Sequence, residues 1–298
     1  MGWDLGDLRT PDGVRLRVGT MRIAGPVATC LLLQGRGDFL EKHASAGRQL
    51  AALGMDVLSF DWRGQGGSER TAGPGVSDVS SFDRYLDDVE AVVGSYHDPQ
   101  RPLVIVAHSM GGLVATTYLL RWPTAVTSAV LLSPMLAFRG APPALLIRGI
   151  AAIARMLGLG RQLASGERAA DPRTCTIEDN MATSDPDAFA TLRNLQLEHP
   201  DLVVAGSSWR WAAAASVAMQ RVARADLGVI LTDVLLASAP DDPTVDPGAH
   251  ADLVARLPAA TLRRYEARHD LLYASSPTVQ TLWADVADHL ARTVPVRT

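Results

Sequence analysis

Short apolar segments alternate with longer stretches of helical periodicity over most of the chain. Several of the short segments are almost entirely apolar, as expected of strands that are covered on both faces. The predicted strands of this kind are Thr29–Leu33, Val57–Phe60, Leu103–Ala107, Ala129–Ser133, Val234–Ser238 and Thr261–Tyr265. Strands that alternate with helices in this way predict an α/β fold with a mostly parallel sheet.

One further segment, Arg15–Arg22, has the apolar–polar alternation of a half-buried strand. We predict that it is an antiparallel strand at the edge of the sheet. Helical periodicity fills the spaces between strands, and the predicted helices are Glu41–Leu53, Phe82–Ser95, Met110–Arg121 and Thr278–Arg292. Pro123 follows the third of these and ends it, because proline cannot continue a helix.

The strand–helix alternation stops after Ser133. From about Pro134 to Asp226 the sequence is helical and loop-like, with prolines and glycines as breaks, and it shows no strand pattern. The sheet pattern resumes at Val234. This predicts a helical cap inserted into the α/β core. We assign residues 1–133 and 227–298 to the core and residues 134–226 to the cap.

Composition narrows the class of protein. The chain has 298 residues, 47% of them hydrophobic, and a formal net charge of -4. Such an apolar fraction excludes a disordered chain, and the mild acidity argues against a nucleic-acid partner. Only two cysteines occur, Cys30 and Cys175, and they form no C-x-x-C pair, which excludes a disulfide framework and a zinc knuckle. Lys42 is the only lysine among 28 basic residues, which we interpret as a coding bias.

The first residues carry Asp4 and Asp7 and no apolar run, so we predict no signal peptide and expect a cytoplasmic location. The most apolar stretch is Ala144–Leu163, with Arg148 and Arg155 near its middle. An arginine costs about 2.5–3.5 kcal/mol at a bilayer centre, so a spanning helix is not expected there.

The same stretch predicts an amphipathic helix. Arg148, Arg155 and Gln162 are spaced by seven residues and form a narrow polar stripe, while the rest of the helix is apolar. Two interpretations stay open. Either the helix packs on the body of the protein, or it presents an apolar surface to a lipid substrate or, transiently, to a membrane.

The segment Leu103–Gly112 predicts a nucleophile. An apolar strand runs directly into A-H-S-M-G and then into a helix, which is the context of a serine on a sharp strand-to-helix turn. Ala107 and Gly111 supply the small residues that this turn needs on either side of Ser109. The Met110 backbone N–H, at the start of the helix, is then a candidate donor to an oxyanion.

A serine nucleophile needs a base and an acid. In this kind of fold both follow the serine along the chain, the acid first and the histidine last. His269 follows the last predicted strand and is the candidate base. The acid lies in the segment Val234–Asp246, where Asp241 and Asp242 compete. Asp242 is favoured because an apolar and a polar residue follow at the usual spacing. His108, beside the serine, is interpreted as a packing residue that points away.

The loop Gln34–Asp38 follows the third strand and is the predicted source of a second oxyanion donor. Its glycines let the backbone approach an ester, and the Arg36 N–H is the candidate. The glycine-rich segment Phe60–Ser68 lacks the pattern of a phosphate-binding loop, so Asp61 and Arg63 are interpreted as residues that fix that loop.

Several motifs together resemble a known family. From about Met21 to Leu290 the chain is similar to bacterial α/β-hydrolases of the lysophospholipase and monoacylglycerol lipase-like group. The motifs are LLLQGRGDFLEKH, FDWRGQGGS, AHSMGG, TSDPDAF and ARHDLLY. The resemblance implies an α/β-hydrolase fold and a Ser–Asp–His triad at Ser109, Asp242 and His269. It places the family's oxyanion amides at Arg36 and Met110.

The activity that this resemblance implies is hydrolysis of a single-chain lipid ester, such as a lysophospholipid or a monoacylglycerol, without a metal or organic cofactor. Gln34 and Gln65 stand where many relatives have histidine, which affects the expected substrate more than the chemistry. The alternatives are a small-ester hydrolase, an acyltransferase or a peptidase of the same fold, or a catalytically silent protein that binds a ligand.

Overall fold

A central eight-stranded sheet organises the protein, and the computed structural model describes residues 1–73, 75–164 and 171–294. Along the chain the strands are β1 (Asp4–Arg9), β2 (Arg15–Met21), β3 (Ala28–Leu33), β4 (Met55–Phe60), β5 (Leu103–His108), β6 (Ser128–Leu132), β7 (Asp233–Ser238) and β8 (Ala260–Arg264). Their spatial order is β1-β2-β4-β3-β5-β6-β7-β8. The pairs from β4 to β8 are parallel. The predicted α/β fold is therefore confirmed.

The edge of the sheet differs from the prediction. The alternating strand β2 is not at the edge, because β1 pairs with it antiparallel from Asp4↔Thr20 to Arg9↔Arg15. Most residues of β1 are exposed, so its sequence lacks the apolar pattern by which a strand is recognised. A tight turn brings β1 onto β2, in which the Gly13 amide donates to the Thr10 carbonyl at 2.8 Å.

Eight α-helices complete the described part of the chain. They are α1 (Ala44–Ala52), α2 (Asp83–Tyr96), α3 (Met110–Arg121), α4 (Ala144–Met156), α5 (Pro186–Glu198), α6 (Trp209–Arg224), α7 (Pro247–Arg256) and α8 (Ser276–Thr293). The predicted helix Glu41–Leu53 is divided into a 3-10 turn, Leu40–His43, and α1. The other three predicted helices agree with α2, α3 and α8 to within two residues at each end.

Side chains of the central strands alternate between two hydrophobic cores, one on each face of the sheet. On β5, Ile105 and Ala107 belong to the core that α2 and α3 cover, whereas Val104 and Val106 belong to the core that α1 and α8 cover. Successive side chains of a strand point to opposite faces, so a strand covered on both faces must be apolar throughout. This explains why the parallel strands are the most readily predicted elements.

The segment between β6 and β7 contains α4, α5 and α6. The α4 helix packs on α6 with small side chains, since only Ala151 and Ala154 are buried on α4. The larger apolar side chains of α4 are exposed. The helix ends at Met156, so Gln162 lies beyond the polar stripe that was predicted to include it.

The assignment of residues 134–226 to a separate cap stays a prediction. Positions 165–170 of that range, and positions 74 and 295–298 of the core, lie outside the described residues. Contrary to the expectation of no strand there, Gly206–Ser207 forms a short parallel pairing with Val76–Ser77. Within the described ranges, no helix has both the length and the apolar character needed to cross a bilayer.

Candidate active site

Ser109 occupies a strained turn between β5 and α3. Its backbone has φ 50° and ψ −113°, and only Ser109 and Ser133 have positive φ among the described residues other than glycine. Such conformations cost about 1–3 kcal/mol each and persist where the surroundings hold them. Here the Ser109 amide donates to the Leu132 carbonyl at 3.0 Å, and the Met135 amide donates to the Ser109 carbonyl at 2.9 Å.

The residue two positions after the serine must be glycine. A Cβ on Gly111 would lie 2.4 Å from the Leu33 carbonyl oxygen, and neither backbone is free to move aside. Ala107, two positions before the serine, is fully buried. The turn therefore forms because small residues allow α3 to begin against the end of β3, and this places the Ser109 hydroxyl at the carboxyl edge of the sheet.

Three loops at that edge bring the predicted triad residues together. The Ser109 hydroxyl donates to His269 Nε2 at 2.8 Å, and the protonated Nδ1 of His269 donates to Asp242 Oδ2 at 2.7 Å. The three residues follow β5, β8 and β7, respectively. Geometrically this is a nucleophile, a base and an orienting carboxylate in hydrogen-bonding contact.

The structure places Asp242, and not Asp241, against the histidine. Asp242 is fully buried, while Asp241 is exposed. Burial alone raises the pKa of the Asp242 carboxyl, but His269 and the amides of Val245 and Thr244 outweigh it and hold that pKa below its usual value. The two amides donate to Asp242 Oδ1 at 3.0 and 2.7 Å. Asp242 is thus held as a carboxylate that accepts from the imidazole.

The loop after β3 carries Arg36, and its neighbours on both sides are fixed. The Gly35 amide donates to Asp38 Oδ2 at 2.9 Å, and the Gly37 amide donates to Gln65 Oε1 at 2.6 Å. Met110 is the first residue of α3, where helical amides have no intrahelical acceptor. Since β3 and β5 are adjacent and parallel, the backbones of Arg36 and Met110 lie at the same edge of the sheet.

Gln34 and Gln65 are both fully buried. Gln34 Nε2 donates to Ser59 Oγ at 3.2 Å, and Gln65 Nε2 donates to the Tyr85 hydroxyl at 3.3 Å. Together with the bond from Gln65 to the Gly37 amide, these contacts hold the loop around Arg36 in place.

The glycine-rich loop after β4 is fixed by two buried charged residues. Asp61 accepts from the Leu40 amide at 2.8 Å and the Gly67 amide at 2.7 Å, and burial raises the pKa of its carboxyl to about 6. Arg63 forms ion pairs with Asp12 at 2.8 Å and Asp88 at 2.6 Å. Both side chains point into the protein and make structural contacts.

A buried ionic cluster beside the triad is absent from the sequence-based expectations. It consists of Asp38, Lys42, His43, His108 and Asp270. The interpretation of His108 as a packing residue is wrong, because its Nδ1 lies 3.4 Å from Asp38 Oδ2 and its ring centroid lies 5.1 Å from that of His269. Two features of the sequence could have indicated this cluster, the single lysine Lys42 and the aspartate Asp270 directly after the candidate base.

Metal ligation is not indicated in the ranges that the structure describes, where no group of three or more His, Cys, Asp or Glu side chains could hold an ion.

The family follows from comparison with known proteins. Residues 24–275 match the family model described as serine aminopeptidase, S33 (Hydrolase_4). The chain therefore belongs to this family. It is a serine hydrolase with the α/β-hydrolase fold, in the lysophospholipase and monoacylglycerol lipase-like group.

Among curated relatives, lysophospholipase L2 of Escherichia coli (strain K12) is 28% identical over 251 residues, which cover 80% of this chain and 71% of that protein. Monoacylglycerol lipase of Mycolicibacterium smegmatis is 25% identical over 184 residues, covering 61% of this chain and 60% of the relative. These relatives support the resemblance seen in the motifs.

Among solved structures, the monoacylglycerol lipase of Paleococcus ferrophilus has a TM-score of 0.73 at 20% identity and covers 93% of this chain and 99% of its own. A soluble variant of monoglyceride lipase from Saccharomyces cerevisiae, in complex with a substrate analogue, has a TM-score of 0.76 at 18% identity. The match covers 99% of this chain and 97% of that lipase. At these identities the likeness shows the fold alone.

Proposed function

We propose that this protein hydrolyses a single-chain lipid ester, a lysophospholipid or a monoacylglycerol, through an acyl-enzyme formed on Ser109. One observation carries the proposal, namely the hydrogen-bonded chain of Ser109 Oγ, His269 and Asp242 at 2.8 and 2.7 Å. A serine hydroxyl is a poor nucleophile unless a base accepts its proton, and this chain supplies the base and the group that orients it.

In the first half of the reaction, Ser109 Oγ attacks the ester carbonyl while His269 Nε2 accepts the hydroxyl proton. Asp242 keeps the other ring proton on Nδ1 and stabilises the imidazolium that forms. The backbone amides of Arg36 and Met110 donate to the oxyanion. When the intermediate collapses, the ester C–O bond breaks, and the alcohol leaves with the proton from His269.

In the second half, water replaces the alcohol. His269 Nε2 accepts a proton from the water as its oxygen attacks the acyl carbonyl. The bond between the acyl carbon and Ser109 Oγ then breaks, and the serine takes the proton back from His269. The fatty acid leaves, and the protein returns to its starting state without a cofactor.

The names of the relatives support a lipid ester as the substrate, since both lysophospholipases and monoacylglycerol lipases act on single-chain lipids. The α4 helix adds a second argument. Leu146, Ile150, Ile153 and Leu157 are exposed at positions that share one helical face. An exposed apolar face suits a substrate that arrives from a lipid aggregate or, transiently, from a membrane surface.

The test is a panel of esters on the purified protein, with Ser109→Ala as the control. Lysophosphatidylcholine, lysophosphatidylethanolamine and monoacylglycerols are compared with p-nitrophenyl acetate, p-nitrophenyl butyrate and an aminoacyl-arylamide. We expect release of fatty acid from at least one single-chain lipid at a higher kcat/KM than from the short esters. A higher kcat/KM on the short esters or the arylamide contradicts the lipid substrate.

A fluorophosphonate probe separates failure of the substrate assignment from failure of the site. We expect it to label the protein at Ser109 and to leave Ser109→Ala unlabelled. If the protein is labelled but cleaves no lipid ester, the result supports Ser109 as the nucleophile and contradicts the proposed substrate class. Acyl transfer to an added alcohol, measured in the same assays, identifies an acyltransferase.

A further inference from the structure

A groove of about 560 Å³ lies outside the triad, between α4, α6 and the start of α2. Its lining includes none of the residues to which the proposed mechanism assigns a role. The floor is made of small apolar side chains, with Ala151 and Ala152 from α4 facing Ala213 and Ala214 from α6. The volume falls within the range of sites that bind small molecules, about 300–1,000 Å³.

The described residues that line the groove carry positive charge only. Four arginines are among them, and no aspartate or glutamate is. Arg210 pairs with the buried Asp78, and Arg221 pairs with Asp83 at 2.7 Å. The other two, Arg148 and Arg155, have no carboxylate partner in the part of the chain that the structure describes. They are spaced by seven residues on α4, so both guanidinium groups lie on the same face of that helix.

We propose that this groove binds a single-chain amphiphile with an anionic head group. The hydrocarbon chain lies on the alanine floor, where burial of its methylene groups provides affinity. The head group lies between Arg148 and Arg155, whose planar guanidinium groups suit a carboxylate or a phosphate. The ligand is a fatty acid or an anionic lysophospholipid, and the site does not depend on any reaction at Ser109.

The test uses Ser109→Ala protein, so that no ligand is hydrolysed, and calorimetric titration below the critical micelle concentration. The ligands are laurate, lauroyl-lysophosphatidylglycerol and the uncharged 1-lauroylglycerol. We expect the anions to bind at least about tenfold more tightly than the uncharged ligand. Whichever of the two anions binds more tightly identifies the preferred head group, a carboxylate or a phosphate. Equal affinity for charged and uncharged ligands would overturn the proposal.

Two variants locate the ligand. Arg148→Gln combined with Arg155→Gln should weaken the binding of both anions by about tenfold or more. The control, Arg173→Gln, removes an exposed arginine paired with Asp171 and should leave the affinity unchanged. Ala213→Trp should block all three ligands by filling the floor. Wild-type protein with a phosphonate on Ser109 should still bind laurate, and loss of that binding assigns the ligand to the catalytic pocket instead.

A different observation concerns Lys42, the only lysine of the chain. Its Nζ forms ion pairs with Asp38 Oδ1 at 2.5 Å and with Asp270 Oδ2 at 2.8 Å, and its side chain is only 12% exposed. These aspartates belong to two separate loops of the site. Asp38 Oδ2 accepts from the Gly35 amide beside Arg36, and Asp270 directly follows His269.

The chemistry of the cluster favours lysine over arginine. The ammonium group of Lys42 is a compact charge that reaches two carboxylates, and it lies 5.7 Å from the centre of the Tyr273 ring. Burial raises the pKa of the Asp38 and Asp270 carboxyls, but Lys42 and the neighbouring histidines together outweigh it and hold both pKa values below the usual value. His108, which precedes Ser109, faces the same two carboxylates, at 3.4 Å from Asp38 and 4.0 Å from Asp270.

We infer that Lys42 is a positioning residue that joins the loop of the Arg36 amide to the loop of His269. It fixes the distance between the oxyanion donor and the base and leaves substrate binding to other residues. This inference rests on the proposed Ser109 mechanism.

Its test measures kcat, KM and phosphonate labelling of Lys42→Met and Lys42→Arg on p-nitrophenyl butyrate. The matched control is Arg48→Met, which removes an exposed cation from the neighbouring helix α1. We expect Lys42→Met to lower kcat and the labelling rate by about tenfold or more with little change in KM, and Lys42→Arg not to restore them. The Arg48→Met protein should match the wild type.

The double variant Lys42→Met with Asp270→Asn, which keeps the cluster near its original net charge, serves if Lys42→Met does not fold. A folded variant of either kind with wild-type kcat overturns the positioning role. If Ser109→Ala is inactive in the same assays, wild-type kcat in a Lys42 variant contradicts only the positioning role and leaves the proposed Ser109 mechanism intact. If Ser109→Ala is fully active, the mechanism itself has failed.

Discussion

His269 Nδ1 lies 2.7 Å from Asp242 Oδ2, while the adjacent Asp241 is exposed to solvent. One position along the loop after β7 therefore decides which carboxylate meets the imidazole. The difference arises because the Val245 and Thr244 amides wrap around Asp242 Oδ1 and turn that side chain inward. The sequence analysis favoured Asp242 from the spacing of the residues that follow it, and these backbone contacts supply the physical reason.

The first prediction compares these two aspartates. Asp242→Asn should lower kcat by about 10⁴ with the fold intact, because the amide favours the wrong tautomer of His269. Asp241→Asn should leave kcat close to that of the wild type. Kinetics on p-nitrophenyl butyrate, with circular dichroism of both variants, check this. The reverse ranking would assign the acid to Asp241.

The second prediction concerns the nucleophile and the base as one unit. Ser109→Ala and His269→Ala should each lower kcat by several orders of magnitude, on the order of 10⁶ in other serine enzymes. The double variant should be little worse than either single one, because neither residue acts without the other. Additive losses in steady-state kinetics would contradict a shared proton transfer.

The parts of the site that could be predicted from the sequence are local. Ser109 lies in a strand–turn–helix motif, and His269 follows a strand, so a few neighbouring residues indicate each of them. The cluster around Lys42 depends on contacts between loops that are far apart in sequence, and a single lysine was therefore interpreted as a coding bias. Strand β1 was not predicted for a related reason, since its pairing with β2 stabilises it and its own pattern does not.

The third prediction follows from the pKa values of the ionic cluster. Asp38 and Asp270 have folded-state pKa values below those of the unfolded chain, with Lys42 as the stabilising charge. Their contribution to stability is therefore present above the unfolded pKa of about 4 and is lost as the pH falls through the folded-state values. The wild type should exceed Lys42→Met in Tm most at neutral pH, and the gap should narrow below about pH 4. A gap in Tm that is constant from neutral to acidic pH would mean that packing of the lysine stem, and not its charge, is responsible.

The fourth prediction concerns the turn that carries Ser109. Gly111→Ala should destabilise the protein and abolish activity, because its Cβ would lie 2.4 Å from the Leu33 carbonyl oxygen. The matched control is Gly94→Ala on α2, where a Cβ would meet nothing within 4 Å. That change should raise the free energy of unfolding by about 0.5–1 kcal/mol, since alanine favours a helix over glycine. Denaturant titration and esterase assays measure both effects, and a stable, active Gly111→Ala protein contradicts the steric argument.

The last prediction concerns the exposed face of α4, for which the sequence left two alternatives open, packing on the body of the protein or contact with lipid. Leu146 and Ile153 are 53% and 60% exposed, so the structure does not bury them in a core. Leu146→Ser combined with Ile153→Ser should therefore leave Tm within the error of measurement. If this face receives lipid, the double variant should lower kcat/KM for long-chain esters presented in micelles or vesicles and preserve it for p-nitrophenyl butyrate in solution. Each methylene that loses contact contributes about 0.8 kcal/mol, so the effect should increase with acyl length. Leu197→Ser, at an exposed position of α5, is the control for a change of polarity as such. Equal losses on short and long esters with a lowered Tm would show that these side chains stabilise the fold instead.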